Sequence, residues 1–175
     1  MALFAVEELR REFDAAFARP AREVARDTED LLEIRVAGSA YALRVAELAG
    51  VSAGHRITAV PSTQPALLGL VGIRGVLVPV FDLARLLGES ALEEAPRWVA
   101  LSQGDSPVGL AFASVEGHLP VGPSALQASA GGDYALVEQL VRTEAGLRPI
   151  VSVGKVLSLL RSGTGADAPE KEKGD

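Results

Sequence analysis

The amino-acid sequence predicts an all-β protein built from two similar small lobes. Apolar residues come in short runs of about four to eight, and several runs alternate apolar with polar residues, as half-buried strands do. Glycine and proline turns separate the runs. A segment near the carboxyl end also matches a central segment at constant spacing, which is typical of an internal repeat. Short strands joined by such turns favour small barrels over a parallel sheet.

Residues 1–29 are predicted to form an amphipathic helix followed by a charged linker. Val6, Leu9, Phe13 and Phe17 recur at three- and four-residue steps, which places them on one face of a helix. Pro20 is expected to end this helix, because the residue before a proline disfavours helical backbone. Three interpretations stay open: packing on the protein's own barrel, docking to a partner, or a mobile arm.

A β-hairpin is predicted directly after the linker. Apolar and charged residues alternate over residues 31–36, a turn follows at 37–39, and the alternation resumes over 41–45. Residues 60–65 contain a proline near each end, which predicts a rigid loop. Pro61 is expected to have a structural role in this loop.

A second strand pair and a short helix are predicted further along the chain. Residues 67–71 form an apolar element, 72–75 a turn, and 76–81 a strand that contains Pro79 as a structural residue. Asp82 is expected to cap one or two helical turns that Gly88 ends.

The second half of the chain repeats this pattern. Residues 98–101 and 108–112 predict another hairpin, about 67 residues after the first, and residues 149–157 align without a gap on residues 79–87 at a spacing of 70. Each lobe is therefore expected to contain a hairpin, a loop, a strand and a short helix, within one domain over residues 30–161. Residues 162–175 lack apolar anchors and are predicted to be a disordered tail.

Composition excludes several classes of function. The chain has no cysteine, which excludes disulfides, thiolate zinc sites and cysteine nucleophiles. A net charge of −6 argues against general nucleic-acid binding, which needs a basic surface. No apolar stretch reaches the roughly 18 residues of a membrane-spanning helix, and the N-terminus lacks the pattern of a secretory signal. The cytoplasm is therefore the expected location, without direct membrane insertion.

Candidate catalytic groups are sparse. His55 and His118 are the only histidines, and neither has a second ligand at metal spacing, so no metal or cofactor is expected. Ser106 lies in a Gly-Asp-Ser sequence that resembles an esterase nucleophile turn, although these residues are also the usual ones of a hairpin turn. The sequence favours a binding module over an enzyme. A small hydrolase that uses Ser106 is kept only as an alternative.

The segment 60–83 resembles the central signature of the CheW family. The matching residues are Val60-Pro61, Pro65, Gly69, Gly72-Ile73-Arg74-Gly75, Val78-Pro79-Val80 and Asp82-Leu83. The resemblance covers about residues 31–160. It implies two SH3-like five-stranded β-barrels related by a pseudo-twofold axis, with an N-terminal α-helix and short helices.

The resemblance also implies a function. CheW-like domains are non-enzymatic adaptors that couple methyl-accepting chemoreceptors to a CheA-type histidine kinase, in cytoplasmic receptor arrays. The expected partners are the cytoplasmic tip of a chemoreceptor, which docks in the groove between the barrels, and the regulatory domain of the kinase. The kinase is expected to bind exposed apolar strand ends of one barrel, either the lobe of residues 31–46 and 76–88 or its twin.

Receptor-binding residues are carried over from the same resemblance. Arg74 matches the family arginine beside the groove, within a turn whose other members are Gly72, Ile73 and Gly75. Its planar guanidinium suits carboxylates and backbone carbonyls of a partner, although a salt bridge within the chain that pins the turn is an alternative. Two further residues, Leu48 and Val51, match the apolar wall of the groove, with core packing as their alternative.

The chain departs from the family pattern at two signature positions. Gly72 stands where asparagine is usual, and Ser152 stands where the second lobe often has aspartate. Residues 117–132 have also lost most of the family character. A divergent adaptor that binds receptors but not the kinase, in a dedicated motility or regulatory pathway, is therefore an alternative function.

Overall fold

The computed structural model of the protein describes residues 28–90, 96–129 and 135–164, and these form eleven β-strands and two α-helices. The predicted N-terminal helix of residues 2–19 lies outside the described residues. The elements are β1 (Glu29–Val36), β2 (Ser39–Arg44), β3 (Leu48–Ala53), β4 (Leu67–Ile73), β5 (Val76–Asp82), α1 (Leu83–Leu86), β6 (Trp98–Ser102), β7 (Gly109–Phe112), β8 (Ser114–Val121), β9 (Leu126–Ala128), β10 (Val137–Thr143), β11 (Gly146–Val151) and α2 (Val153–Thr164).

The strands form two sheets, and each sheet combines hairpins from both halves of the chain. The six-stranded sheet has the order β8-β1-β2-β11-β10-β9, and the five-stranded sheet has the order β3-β6-β7-β5-β4. Neighbours are antiparallel except β2 with β11 and β5 with β7, which are parallel. Each parallel pair joins a hairpin of one half to a hairpin of the other. The expected lobe of residues 31–46 and 76–88 is therefore wrong, because β5 lies in the other sheet from β1 and β2.

The internal repeat is a pseudo-symmetry of the fold. Strands β4 and β5 begin 70 residues before β10 and β11, respectively. Equivalent backbone bonds precede the two helices: Asp82 N donates to Ala66 O at 2.8 Å, and Ser152 N donates to Leu136 O at 2.9 Å. The sequence match therefore corresponds to repeated three-dimensional structure.

The two parallel pairs fix which hairpin residues are equivalent. Val80 of β5 lies opposite Gly109 of β7, and its repeat counterpart, Ile150 of β11, lies opposite Ala42 of β2. Gly109 and Ala42 thus occupy equivalent positions, 67 residues apart, as the sequence predicted for the hairpins.

Apolar side chains pack into three clusters. One lies in each sheet, and a larger central cluster joins both sheets and both helices. Because this central cluster combines residues of β1 and β2 with residues of β6, β7 and both helices, the two sheets share one hydrophobic core. Its largest buried members include Ile34, Leu43, Leu83, Leu110 and Phe112.

Local capping follows the prediction at the first helix. The Asp82 carboxylate accepts a hydrogen bond from Ala84 N at 3.0 Å, which satisfies one of the free N–H groups of α1. Gly88 follows the helix with a φ of +74°, the left-handed backbone that ends helices. None of the helices in the described ranges has the length and apolar character needed to cross a membrane.

Several elements differ from the prediction. Strands β3, β8 and β9 were not expected, and β9 gives one sheet six strands instead of five. Gly117 and Pro120 interrupt the β8 sequence and obscure its alternation. Helix α2 continues to Thr164, so residues 162–164 of the predicted tail are helical, and residues 165–175 lie outside the described part.

Candidate functional site

The tip of the β4–β5 hairpin presents Arg74. Ile73 pairs with Val76, so the turn consists of Arg74 and Gly75 alone, with φ of +51° and +80°. Two left-handed residues make the tight turn whose twist matches that of the flanking strands. The predicted four-residue turn is thus shorter, because Gly72 and Ile73 belong to β4.

The Arg74 side chain is exposed and has no polar partner among the described residues. Within residues 28–90, 96–129 and 135–164, it makes no hydrogen bond and no ion pair. The alternative of an internal salt bridge that pins the turn is therefore wrong for the described residues. A guanidinium without an internal partner is available for a carboxylate or carbonyl of another molecule.

A surface groove of about 320 Å³, which we call the first groove, lies beside this tip. It runs between β3 and the end of β4, with an apolar floor and the arginine at its rim. Four of the six predicted receptor-binding residues line it, namely Val51, Gly72, Ile73 and Arg74. The other described lining residues are Ala49, Gly50, Ser52, His55 and Leu101.

Two predicted site residues lie elsewhere. Leu48 is only 8% exposed and belongs to the central cluster, so its alternative role in core packing is the one observed. Gly75 completes the turn beside Arg74 and is not among the described residues that line the first groove. Val51 has both roles, since it lines the groove and packs against the central cluster.

The first groove belongs to a single sheet. Its described lining residues come from β3, β4 and β6 of the five-stranded sheet and from the turn and loop residues that follow β3 and β4. The expectation that the groove beside Arg74 runs between the two barrels is not met by this groove.

Sequence reasoning missed a polar pair in the same groove. Ser52 Oγ lies 2.5 Å from His55 Nε2, which holds the imidazole against the end of β3. A histidine in a polar turn gave no signal of this contact, because the pairing depends on the local backbone path after β3. The pair adds a polar group to an otherwise apolar wall.

Two exposed leucines lie at equivalent places in the two lobes. Leu77 of β5 is 71% exposed, and Leu147, its repeat counterpart on β11, is 53% exposed. The two lobes thus expose a leucine at the equivalent place, near the tip of the β4–β5 and β10–β11 hairpins.

The predicted structural residues also have identifiable positions. Pro79 lies opposite Leu70 in the β4–β5 pair. Leu70 instead exchanges two backbone hydrogen bonds with Thr58, at 2.8 and 2.9 Å, so the missing N–H of Pro79 leaves no gap in this ladder. Pro61 lies exposed in the loop before β4.

The geometry does not assemble a hydrolase. Ser106 is exposed in the β6–β7 connection of the five-stranded sheet, whereas His118 lies on β8 of the other sheet. His118 Nε2 is 3.0 Å from the Asp30 carboxylate, so it is engaged away from Ser106. The described residues contain no cluster of three or more histidine, cysteine or acidic side chains arranged to hold a metal.

Comparison with known proteins supports the fold and the family. A family model described as "CheW-like domain" matches residues 30–161. "Chemotaxis protein CheW" of Bacillus subtilis (strain 168) is 26% identical over 135 residues, which cover 74% of this chain and 86% of the relative. The crystal structure of scaffolding protein TtCheW from Thermoanaerobacter tengcongensis superposes with a TM-score of 0.66 at 20% identity, over 71% of this chain and 89% of that one.

These matches confirm an all-β fold of two SH3-like barrels. CheW family proteins are non-enzymatic scaffolds, so the hydrolase alternative with Ser106 is wrong. Because the matched region covers well over half of the residues, this chain belongs to the CheW-like family of chemotaxis scaffold proteins.

Proposed function

We propose that the protein couples methyl-accepting chemoreceptors to a CheA-type histidine kinase, in chemotaxis or a related two-component pathway. The observation that carries the proposal is the first groove, which combines apolar lining residues with the Arg74 cation, unpaired within the described part of the chain. Family membership supports the same function. The protein acts by placing its partners relative to one another, in the cytoplasm at receptor arrays.

The first groove suits an amphipathic receptor tip. Apolar side chains of the tip would cover Val51, Ile73 and Leu101, and a carboxylate or a terminal helix carbonyl would meet Arg74. Because Arg74 has no partner within the described residues, binding breaks no internal ion pair. The left-handed turn also fixes the position from which the side chain reaches out.

The kinase regulatory domain is proposed to bind a hairpin end that carries an exposed leucine. Leu77 and Leu147 are the two candidates, one on each sheet. Two binding surfaces on one domain would transmit receptor geometry to the kinase, because the central cluster joins both sheets rigidly. Repeated contacts in an array compensate for weak single contacts.

A binding experiment tests the receptor contact. The full-length chain is titrated with a soluble receptor-tip fragment and, separately, with the kinase regulatory domain. We expect Arg74→Ala to weaken tip binding by about tenfold or more, since a charge-assisted contact is lost, and to leave kinase binding unchanged. Arg97→Ala removes the same charge from an exposed position outside the described lining of the groove and serves as the matched control.

The outcomes separate the proposal from its alternative. Equal tip affinity of the wild type and Arg74→Ala would contradict the assigned site. Tip binding without any kinase binding would favour the alternative function, namely an adaptor that binds receptors but not the kinase. Absence of both partners would contradict the coupling function altogether.

A further inference from the structure

A second groove lies at the repeat-related position of the six-stranded sheet. This second groove measures about 560 Å³ and runs between β8 and the end of β10. The residues at its hairpin end follow those of the first groove by 70 positions. Gly72, Ile73 and Arg74 of the first groove correspond in order to Arg142, Thr143 and Glu144 of the second.

The floors of the two grooves also correspond. Leu101 lies opposite Gly109 in the β6–β7 ladder, and Glu33 lies opposite Ala42 in the β1–β2 ladder. Since Gly109 and Ala42 are equivalent positions, Glu33 is the counterpart of Leu101. Leu101 packs against the apolar cluster of its sheet, whereas Glu33 brings a carboxylate to the second groove.

An ion-pair network borders the second groove through Glu33 and Arg148. Arg148 Nη1 is 3.2 Å from Glu33 Oε1 and 3.2 Å from Glu116 Oε2, and Glu116 Oε1 is 2.5 Å from Arg35 Nη2. The Arg148 side chain is only 11% exposed. Its counterpart 70 residues earlier is Val78, which is 1% exposed within the apolar cluster of the five-stranded sheet. The position that makes apolar contacts in the five-stranded sheet thus makes ion pairs in the six-stranded sheet.

The two grooves therefore favour different occupants. An apolar side chain entering the second groove would remove water from Arg148 and Glu33 without supplying hydrogen bonds, which is unfavourable. The position of the Arg74 cation at the first groove is occupied by the Glu144 carboxylate at the second, and the Arg142 side chain stands where the first groove has only Gly72. Both differences disfavour binding of the receptor tip, which suits the first groove, in the second groove.

We propose that the network of Glu33, Glu116 and Arg148, with Glu144 at the rim, determines specificity by closing the second groove to the receptor tip. The pseudo-twofold fold would otherwise present two similar sites. The protein consequently binds one tip in one orientation, which fixes the direction in which it connects a receptor to its other partner. This inference rests on the proposed binding of a receptor tip to the first groove.

The stoichiometry of tip binding tests the inference. A regrafted variant carries Glu33→Leu, Arg142→Gly, Glu144→Arg and Arg148→Val, which give these four positions the residue types of their repeat counterparts. The Glu116–Arg35 pair is left in place, so no acidic side chain of the network loses its last partner. By native mass spectrometry and calorimetry with a receptor-tip fragment, we expect one tip on the wild type and two on the regrafted variant. The added site should survive Arg74→Ala.

A reciprocal variant keeps the test decisive if the regrafted protein does not fold. Gly72→Arg with Ile73→Thr places the residues of the second groove in the first. No heavy atom lies within 4 Å of a Cβ built at Gly72, so the first side-chain atom meets no clash. We expect tip binding to weaken by about tenfold or more, because the arginine stem and head cover the apolar floor.

Each result has a distinct meaning. Two tips on the wild type, one tip on a folded regrafted variant, or full affinity of the reciprocal variant would overturn this inference alone. A wild-type protein that binds no tip would overturn the proposed function and this inference with it.

Discussion

Gly69 is the position where the fold depends most directly on the absence of a side chain. Its φ is +148°, and a Cβ at this site would lie 2.1 Å from Thr58 O and 2.6 Å from Thr58 C. Both atoms are backbone, so the contact is not relieved by a rotamer change. Thr58 is held there by two hydrogen bonds with Leu70, at 2.8 and 2.9 Å.

We expect Gly69→Ala to lower the free energy of unfolding by about 3–5 kcal/mol. Alanine in this backbone region adds strain of about 1–3 kcal/mol, and loss of the two bonds with Leu70 adds about 1 kcal/mol each. This sum is a large part of the roughly 5–15 kcal/mol of a typical domain. Urea unfolding, followed by fluorescence of Trp98, the single tryptophan, measures the change.

Gly72→Ala in the same strand is the matched control. Gly72 does not have a positive φ, and a Cβ there meets open space, so the expected change is within about 0.5 kcal/mol. Similar unfolding free energies for the two alanine variants would refute the reasoning, since only Gly69 combines a positive φ with backbone atoms in the place of the Cβ.

Three further substitutions follow from named contacts. Asp82→Ala removes the cap on Ala84 N and should lower stability by about 1 kcal/mol in urea unfolding, and an unchanged midpoint would contradict the capping role. Arg148→Ala leaves Glu33 without its only described ion-pair partner and should cost about 1–3 kcal/mol, whereas a neutral result would mean that the network is solvated. Arg74→Ala should leave the thermal unfolding midpoint unchanged, because the side chain makes no described contact that folding depends on; a clear drop would reveal an internal role.

Local features of the fold were predictable from the sequence. Alternation and turn residues predicted the hairpins, and a constant spacing of 70 residues predicted the pseudo-symmetry. The exchange of hairpins was not predictable, because a repeat reveals which segments are alike and not which of them pair. The parallel contact of β5 with β7 decides that, and it depends on packing between residues far apart in the chain.

The candidate site was predictable only in part. The signature places Gly72, Ile73 and Arg74 together because they are consecutive, whereas Val51 lines the same groove from β3, at the opposite end of the strand order from β4. Leu48 was assigned to the groove from the family resemblance, whereas it packs in the central cluster, and a register shift in the β3–β6 ladder separates it from Gly50. The pair of Glu33 and Arg148 joins residues that are distant in sequence and gives no local signal.

A bridging experiment tests the coupling function most directly. A receptor-tip fragment is fixed on beads and incubated with the kinase regulatory domain, with or without the full-length protein. We expect the kinase domain to be retained only when the protein is present, and we expect Arg74→Ala to reduce this retention strongly while Arg97→Ala does not. Kinase retention without the protein, or its loss although each partner binds the protein separately, would contradict the claim that one molecule joins both.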